Sequence, residues 1–264
     1  MIQKLIQHWP EYLIEGALLG TFMISACFFT ALMEYPGSPA LSSPMPPFFR
    51  RAVIGSAMGL TAIFLIYSPW GKRSGAHMNP AVTLAFLHLG KIAKWDAAFY
   101  LLGQFVGGAL AVWVAGRAFH NIVSHQSVDF VVTKPGYFRA GIAFGAELAI
   151  SFVLMFVVLK ASNSPRMARF TGIFAGLLVA AYITFEAPLS GMSMNPARTF
   201  ASALAANDWA AIWVYFAAPP LGMLLAAEAF TLVYGAASVG CAKLHHQNHH
   251  RCIFCEHRQG SIAP

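Results

Sequence analysis

The hydrophobic pattern of the chain is one of long unbroken runs, not of alternation. Residues 52–71, 97–116, 170–185 and 209–227 carry no charge at all, and 12–33 and 140–159 carry one glutamate each, Glu15 and Glu147. A helix rising 1.5 Å per residue needs roughly 20 apolar residues to cross a bilayer core, so the pattern predicts six membrane-spanning helices. Membrane strands would alternate, and backbone groups in lipid have to be satisfied within each segment or within a closed barrel.

Two polar interruptions repeat one another. "SGAHMNPAVT" occupies Ser74 to Thr83, and "SGMSMNPART" occupies Ser190 to Thr199. After each Asn-Pro come about ten apolar residues, enough for membrane depth and too few to cross it. Asparagine is a favoured helix N-cap, and proline is favoured at the first helical position, so Asn79-Pro80-Ala81 and Asn195-Pro196-Ala197 each predict the start of a half-helix.

Each half of the chain therefore reads as a span with a glutamate, a second span, an Asn-Pro-Ala segment and a third span. Three spans per half is an odd number, which makes residues 10–118 and 138–236 an inverted repeat. The expected fold is an all-α membrane protein with six transmembrane helices and two re-entrant half-helices. In inverted repeats the solute path runs where the halves meet, commonly at broken helices. Two half-helices entering from opposite faces bring their positive N-terminal ends together, and both asparagine amides then face one pathway. Such a path suits small neutral molecules and opposes cations.

Composition agrees. Of 264 residues, 58% are hydrophobic and 10% charged, against about 25% charged in a soluble domain. The first span keeps Glu15 and lacks a clear cleavage site, so it is expected to remain in the mature protein. Eleven Lys and Arg fall on the side of the termini and five on the opposite side, which predicts cytoplasmic termini and a multi-pass protein of the inner cell membrane. This asymmetry accounts for the net charge of +7 without a nucleic-acid partner.

The two Asn-Pro-Ala motifs, the paired glutamates and "GQFVGG" in the third span resemble the aquaporin (major intrinsic protein) family, in its bacterial type, over about residues 10–235. The resemblance implies a passive water channel, not an enzyme, working as a homotetramer among membrane lipids and needing no cofactor. It assigns the central constriction to Asn79 and Asn195, and an outer selectivity filter to Arg198, Met192, Ile183 and either Met58 or, without a gap, Gly59. It makes Glu15, Glu147 and His77 structural supports of the half-helix loops. Three apolar filter positions depart from the water-selective pattern, and Thr199 stands where glycerol facilitators carry aspartate. The alternatives are a broader pore for glycerol, urea, hydrogen peroxide or ammonia, and a coupled secondary transporter, for which the few ionisable residues within the spans are thin support.

Residues 1–240 are expected to form the channel, and 241–264 a separate tail. In "KLHHQNHHRCIFCEH" the spacing of Cys252 and Cys255, with His249 and His257 nearby, is that of a metal knuckle suited to zinc(II) or copper(I). A weakly basic tail without a defined site is the alternative, since no second Cys-x-x-Cys is present. A disulfide framework is not expected from the four cysteines.

Overall fold

The computed structural model describes residues 2–41, 45–136 and 139–260, and among these no strand occurs. Among the described residues, six helical segments, each built on one long helix, are long and apolar enough to cross a membrane. The helices are α1 (Ile2–Glu34), α2 (Pro47–Tyr67), α4 (Lys94–Ala118), α5 (Arg139–Ser162), α6 (Thr171–Phe185) and α8 (Ile212–Tyr234). Between them lie the short helices α3 (Pro80–His88) and α7 (Pro196–Ala206), and the chain closes with α9 (Ile253–Gly260). At 1.5 Å per residue α3 is about 14 Å long and α7 about 16 Å, roughly half a hydrocarbon core.

The pairing of helices follows the repeat. α1 packs on α4 and α5 on α8, corresponding pairs within the two halves, while α2 packs on α6 across the halves. Small residues let these backbones touch, which is how helices associate where lipid offers no hydrophobic driving force. A Cβ added to Gly107 of α4 would lie 2.2 Å from the Gly16 carbonyl oxygen of α1.

The outside of the bundle is apolar. Leu232 is 84% exposed, Phe64 71% and Phe185 69%, whereas Glu15, Glu147 and Gln104 are fully buried. This inverts the soluble pattern and is what a hydrocarbon solvent selects. The tail does not stand apart from the bundle: Cys241, Ala242, Leu244, Ile253 and Phe254 belong to the same buried core as the spans.

Candidate functional site

The two Asn-Pro-Ala segments are built alike. Asn79 has extended backbone and its Oδ1 accepts from Ala81 N at 2.8 Å, capping α3. Asn195 caps α7 in the same way, its Oδ1 accepting from Ala197 N at 3.1 Å and Arg198 N at 3.2 Å. Proline follows at the first helical position, where its missing N–H leaves nothing unsatisfied.

Each amide also reaches into the other half. Asn79 Nδ2 donates to the Met194 carbonyl and Asn195 Nδ2 to the Met78 carbonyl, both at 2.7 Å. The N-terminal ends of the half-helices therefore abut. An amide NH2 has two hydrogens, and on each asparagine one of them is committed to the fold. Sequence reasoning offered both to the pathway; the partner carbonyl lies 115 or 117 residues away and has no local signal.

Before each asparagine the backbone runs through the left-handed region, at Ala76 and Met78 in the first loop and at Met192 and Met194 in the second. Non-glycine residues there are strained by about 1–2 kcal/mol each. Buried carboxylates hold the strained turns. Glu15 accepts from His77 N at 3.1 Å, Met78 N at 2.6 Å, Ser74 Oγ at 2.7 Å and Gln104 Nε2 at 3.0 Å. Glu147 accepts from Ser193 N at 2.6 Å, Met194 N at 2.7 Å and Ser190 Oγ at 2.7 Å. A tyrosine closes each loop, Tyr100 donating to the Ser74 carbonyl and Tyr215 to that of Ser190, across 26 and 25 residues of chain that leave no local signal in the sequence.

A cavity of about 320 Å³ runs past both asparagines. Met58, Ile183, Met192 and Arg198 all line it. Gly59 instead faces α6, where a Cβ would meet the Gly176 carbonyl at 2.5 Å, while Met58 lines the cavity. Among the described residues Arg198 Nη1 has no hydrogen-bond partner, leaving a donor on the only cation besides Arg51 that lines the cavity. Val128, Val131 and Val132 line it as well, from a loop tied down by Lys134, whose Nζ lies 2.9 Å from Asp129 and 2.7 Å from Asp208. The Asp208 carboxylate holds the Lys134 ammonium above its usual range, and Lys134 in turn holds Asp208 below the usual carboxylate range.

The profile of the family described as Major intrinsic protein matches residues 7–230. The chain belongs to the major intrinsic protein family. As a member it is a membrane channel that passes water or small solutes, and it is not an enzyme. It is 33% identical to Aquaporin NIP2-2 of Zea mays over 218 residues, 81% of this chain and 72% of that one. It is 37% identical to Aquaporin NIP6-1 of Arabidopsis thaliana over 188 residues, 69% of this chain and 59% of the relative. Both relatives are plant proteins, which lends no support to a bacterial type. The fold is that of the X-ray structure of the aquaglyceroporin from Plasmodium falciparum, with a TM-score of 0.73 at 18% identity over 88% of this chain and 98% of that one.

Beyond the matched residues, the tail of this aquaporin relative turns back beneath the Asn79 loop. The Ala242 carbonyl accepts from His77 Nε2 at 2.8 Å, Leu244 N donates to the Gly75 carbonyl at 3.2 Å, and Phe254 stacks on His77 with ring centres 5.5 Å apart. Leu244 lines the cavity. In the tail, Cys252 and Cys255 are joined by Cys241 and His246, while His249 is exposed outside this group and the His257 side chain lies outside the described residues. A Cys-x-x-Cys spacing locates two ligands of such a group; the others depend on how the chain leaving α8 turns back.

Proposed function

We propose that the protein is a passive channel for water, with a filter open enough to admit other small neutral solutes, and that it excludes ions and protons. The observation that carries this reading is the composition of the cavity wall: Arg198 with an unpartnered donor stands in a cavity whose other filter positions are Met58, Ile183 and Met192. One strong donor orients a hydroxyl or water oxygen, while three apolar walls offer nothing that an ion could trade for its hydration shell. Methionine is flexible enough to let the width adapt. The abutting half-helix N-termini add positive ends at the level of Asn79 and Asn195, which opposes cations and hydronium. The names of the relatives, aquaporins and an aquaglyceroporin, support both parts of the proposal.

The Lys and Arg asymmetry supports cytoplasmic termini, and the apolar exterior supports contact with lipid and with further copies, as in a homotetramer. Glu15 and Glu147 are read as supports of the half-helix loops and His77 as a packing residue between loop and tail.

The test is osmotic shrinkage of proteoliposomes followed by stopped-flow light scattering, repeated with glycerol, urea and a proton-sensitive dye. Water flow above protein-free vesicles, with uptake of at least one small neutral solute and no proton flow, is expected. In Ile183→His, which adds a polar ring to the wall, solute uptake should fall by about tenfold, the factor that goes with 1.4 kcal/mol, more than water flow does. Proton flow through the wild type overturns the reading.

A further inference from the structure

The tail brings four metal-binding side chains to one point. Cys241 Sγ lies 3.4 Å from Cys252 Sγ and 3.8 Å from Cys255 Sγ, and Cys255 Sγ lies 3.3 Å from His246 Nε2. All four ligand atoms are within 4.8 Å of one another. With zinc–sulfur bonds of about 2.3 Å and zinc–nitrogen bonds of about 2.0–2.1 Å, a tetrahedral ion needs ligand separations of roughly 3.5–3.8 Å. The contacts within the cluster bracket that range.

We propose that Cys241, His246, Cys252 and Cys255 hold a zinc(II) ion in a closed tetrahedral site, and that this ion clamps the tail across the pore mouth beside the N-terminal end of α1, with Leu244 in the cavity.

The donor set is the first argument. Three thiolates and one imidazole are soft ligands that fill a tetrahedron with no position open for substrate, the form of a structural zinc site and not a catalytic one. The one described carboxylate close in sequence, Glu256, is engaged by Arg251 through both oxygens at 2.7 Å.

The surroundings are the second. Lys243 N donates to Cys241 Sγ at 3.5 Å, the kind of backbone contact that supports a ligating sulfur. Lys243 is 1% exposed, and its Nζ donates to the carbonyls of His250 at 3.2 Å and Arg251 at 2.8 Å, immediately before Cys252. Three thiolates and a divalent ion leave one net negative charge, and this buried ammonium is placed to offset it. Cys252 and Cys255 flank Ile253 and Phe254, both 1% exposed, so the start of α9 is held by its apolar face. Arg251 Nη1 donates to the Gln7 carbonyl at 2.9 Å, which fixes the cluster against the beginning of α1.

The chain between the ligands is what touches the pore. Ala242 and Leu244 lie between Cys241 and His246, and they make the bonds to His77 and Gly75 described above. A clamp at both ends of 241–246 therefore sets where Leu244 sits. The closure rests on the reading of this cavity as a pore; the metal assignment does not.

The full chain, purified in detergent with a phosphine reductant, is loaded with zinc(II), dialysed and assayed by inductively coupled plasma mass spectrometry. About one zinc per chain is expected, retained by His249→Ala and bound about 100-fold or more weakly by Cys252→Ser and His246→Ala. Cobalt(II) in its place should give the absorption of a tetrahedral thiolate complex. No retained zinc, or a cobalt spectrum without thiolate bands, overturns the site.

The same preparations in liposomes test the closure. Chelation should raise wild-type water flow by about tenfold, as for a mouth covered nine-tenths of the time. Leu244→Ala should keep its zinc and flow at the chelated rate. Zinc binding with flow indifferent to chelation overturns the closure and leaves the site standing. If neither the chelated protein nor Leu244→Ala passes more water than protein-free vesicles, although the unchelated protein binds zinc, the pore reading itself has failed, and the closure with it.

Discussion

Asn79 and Asn195 are bound crosswise, each giving an amide hydrogen at 2.7 Å to the carbonyl of the methionine that precedes the other. The same two side chains cap the half-helices through their oxygens. One residue type thus ends the loop, starts the helix and joins the halves. Asn195→Ala removes a cap, worth about 1 kcal/mol, and leaves the half-buried Met78 carbonyl without its amide partner, a further loss of up to about 1 kcal/mol. The expected result is a clear fall in melting temperature in detergent, with water flow reduced in whatever protein folds.

Glu147 receives three donors and offers none in return. Glu147→Gln turns one oxygen into an NH2 that must face an N–H or O–H donor. A loss of about 1–3 kcal/mol follows from the unsatisfied pair. Glu147→Asp should fare no better, because the shorter side chain cannot span both turns. Thermal melting of the two variants beside the wild type checks this, and a Gln variant as stable as the wild type would remove the support role assigned to the carboxylate.

Gly107 meets Gly16 backbone to backbone, with room for no Cβ. In Gly107→Ala, α1 and α4 have to separate, an overpacking cost of about 1–3 kcal/mol. Gly141, where a Cβ meets nothing within 4 Å, is the control. Yield and melting temperature should drop for Gly107→Ala and hold for Gly141→Ala.

The loop that carries Val131 into the cavity depends on a partly exposed charge group, Lys134 with Asp129 and Asp208. Because the folded state lowers the titration range of Asp208, the pairing stabilises above the ordinary aspartate value of about 3.9 and is lost as pH falls through the lowered one. Because it raises that of Lys134, the pairing is fully present below the ordinary lysine value of about 10.4 and is lost as pH rises through the raised one. Solvent screening limits the contribution to about 0.2–1 kcal/mol. Asp208→Asn should therefore be slightly less stable than the wild type at neutral pH, with the difference closing as the pH falls below the ordinary aspartate range and through the lowered one, and with added salt.

Much of the fold can be read locally. Charge-free runs of about 20 residues, Asn followed by Pro, and a lone glutamate in each half are all features of short windows, and they predict the spans, the half-helices and the inverted repeat. Met58 against Gly59 was not decidable that way, because a one-residue difference in the following loop moves the assignment around the helix. In the packed structure Gly59 is pressed on Gly176 of α6, and Met58 lines the cavity.

The tail shows the same division more sharply. Cys252 and Cys255 are legible as a pair from their spacing, whereas Cys241 lies in an apolar stretch and His246 is one of four histidines within six residues. Which of them approaches the two sulfurs depends on Gly240 N donating to Asn163 at 2.7 Å, on Lys243 closing the loop and on Phe254 stacking over His77. By itself the sequence determined the elements, since hydrophobic length and helix capping act within a few residues. The tertiary structure alone decided which groups face one another, the crossed asparagines, the lining methionine and the three thiols with their histidine, because those contacts join residues whose separation along the chain carries no information about their distance in space.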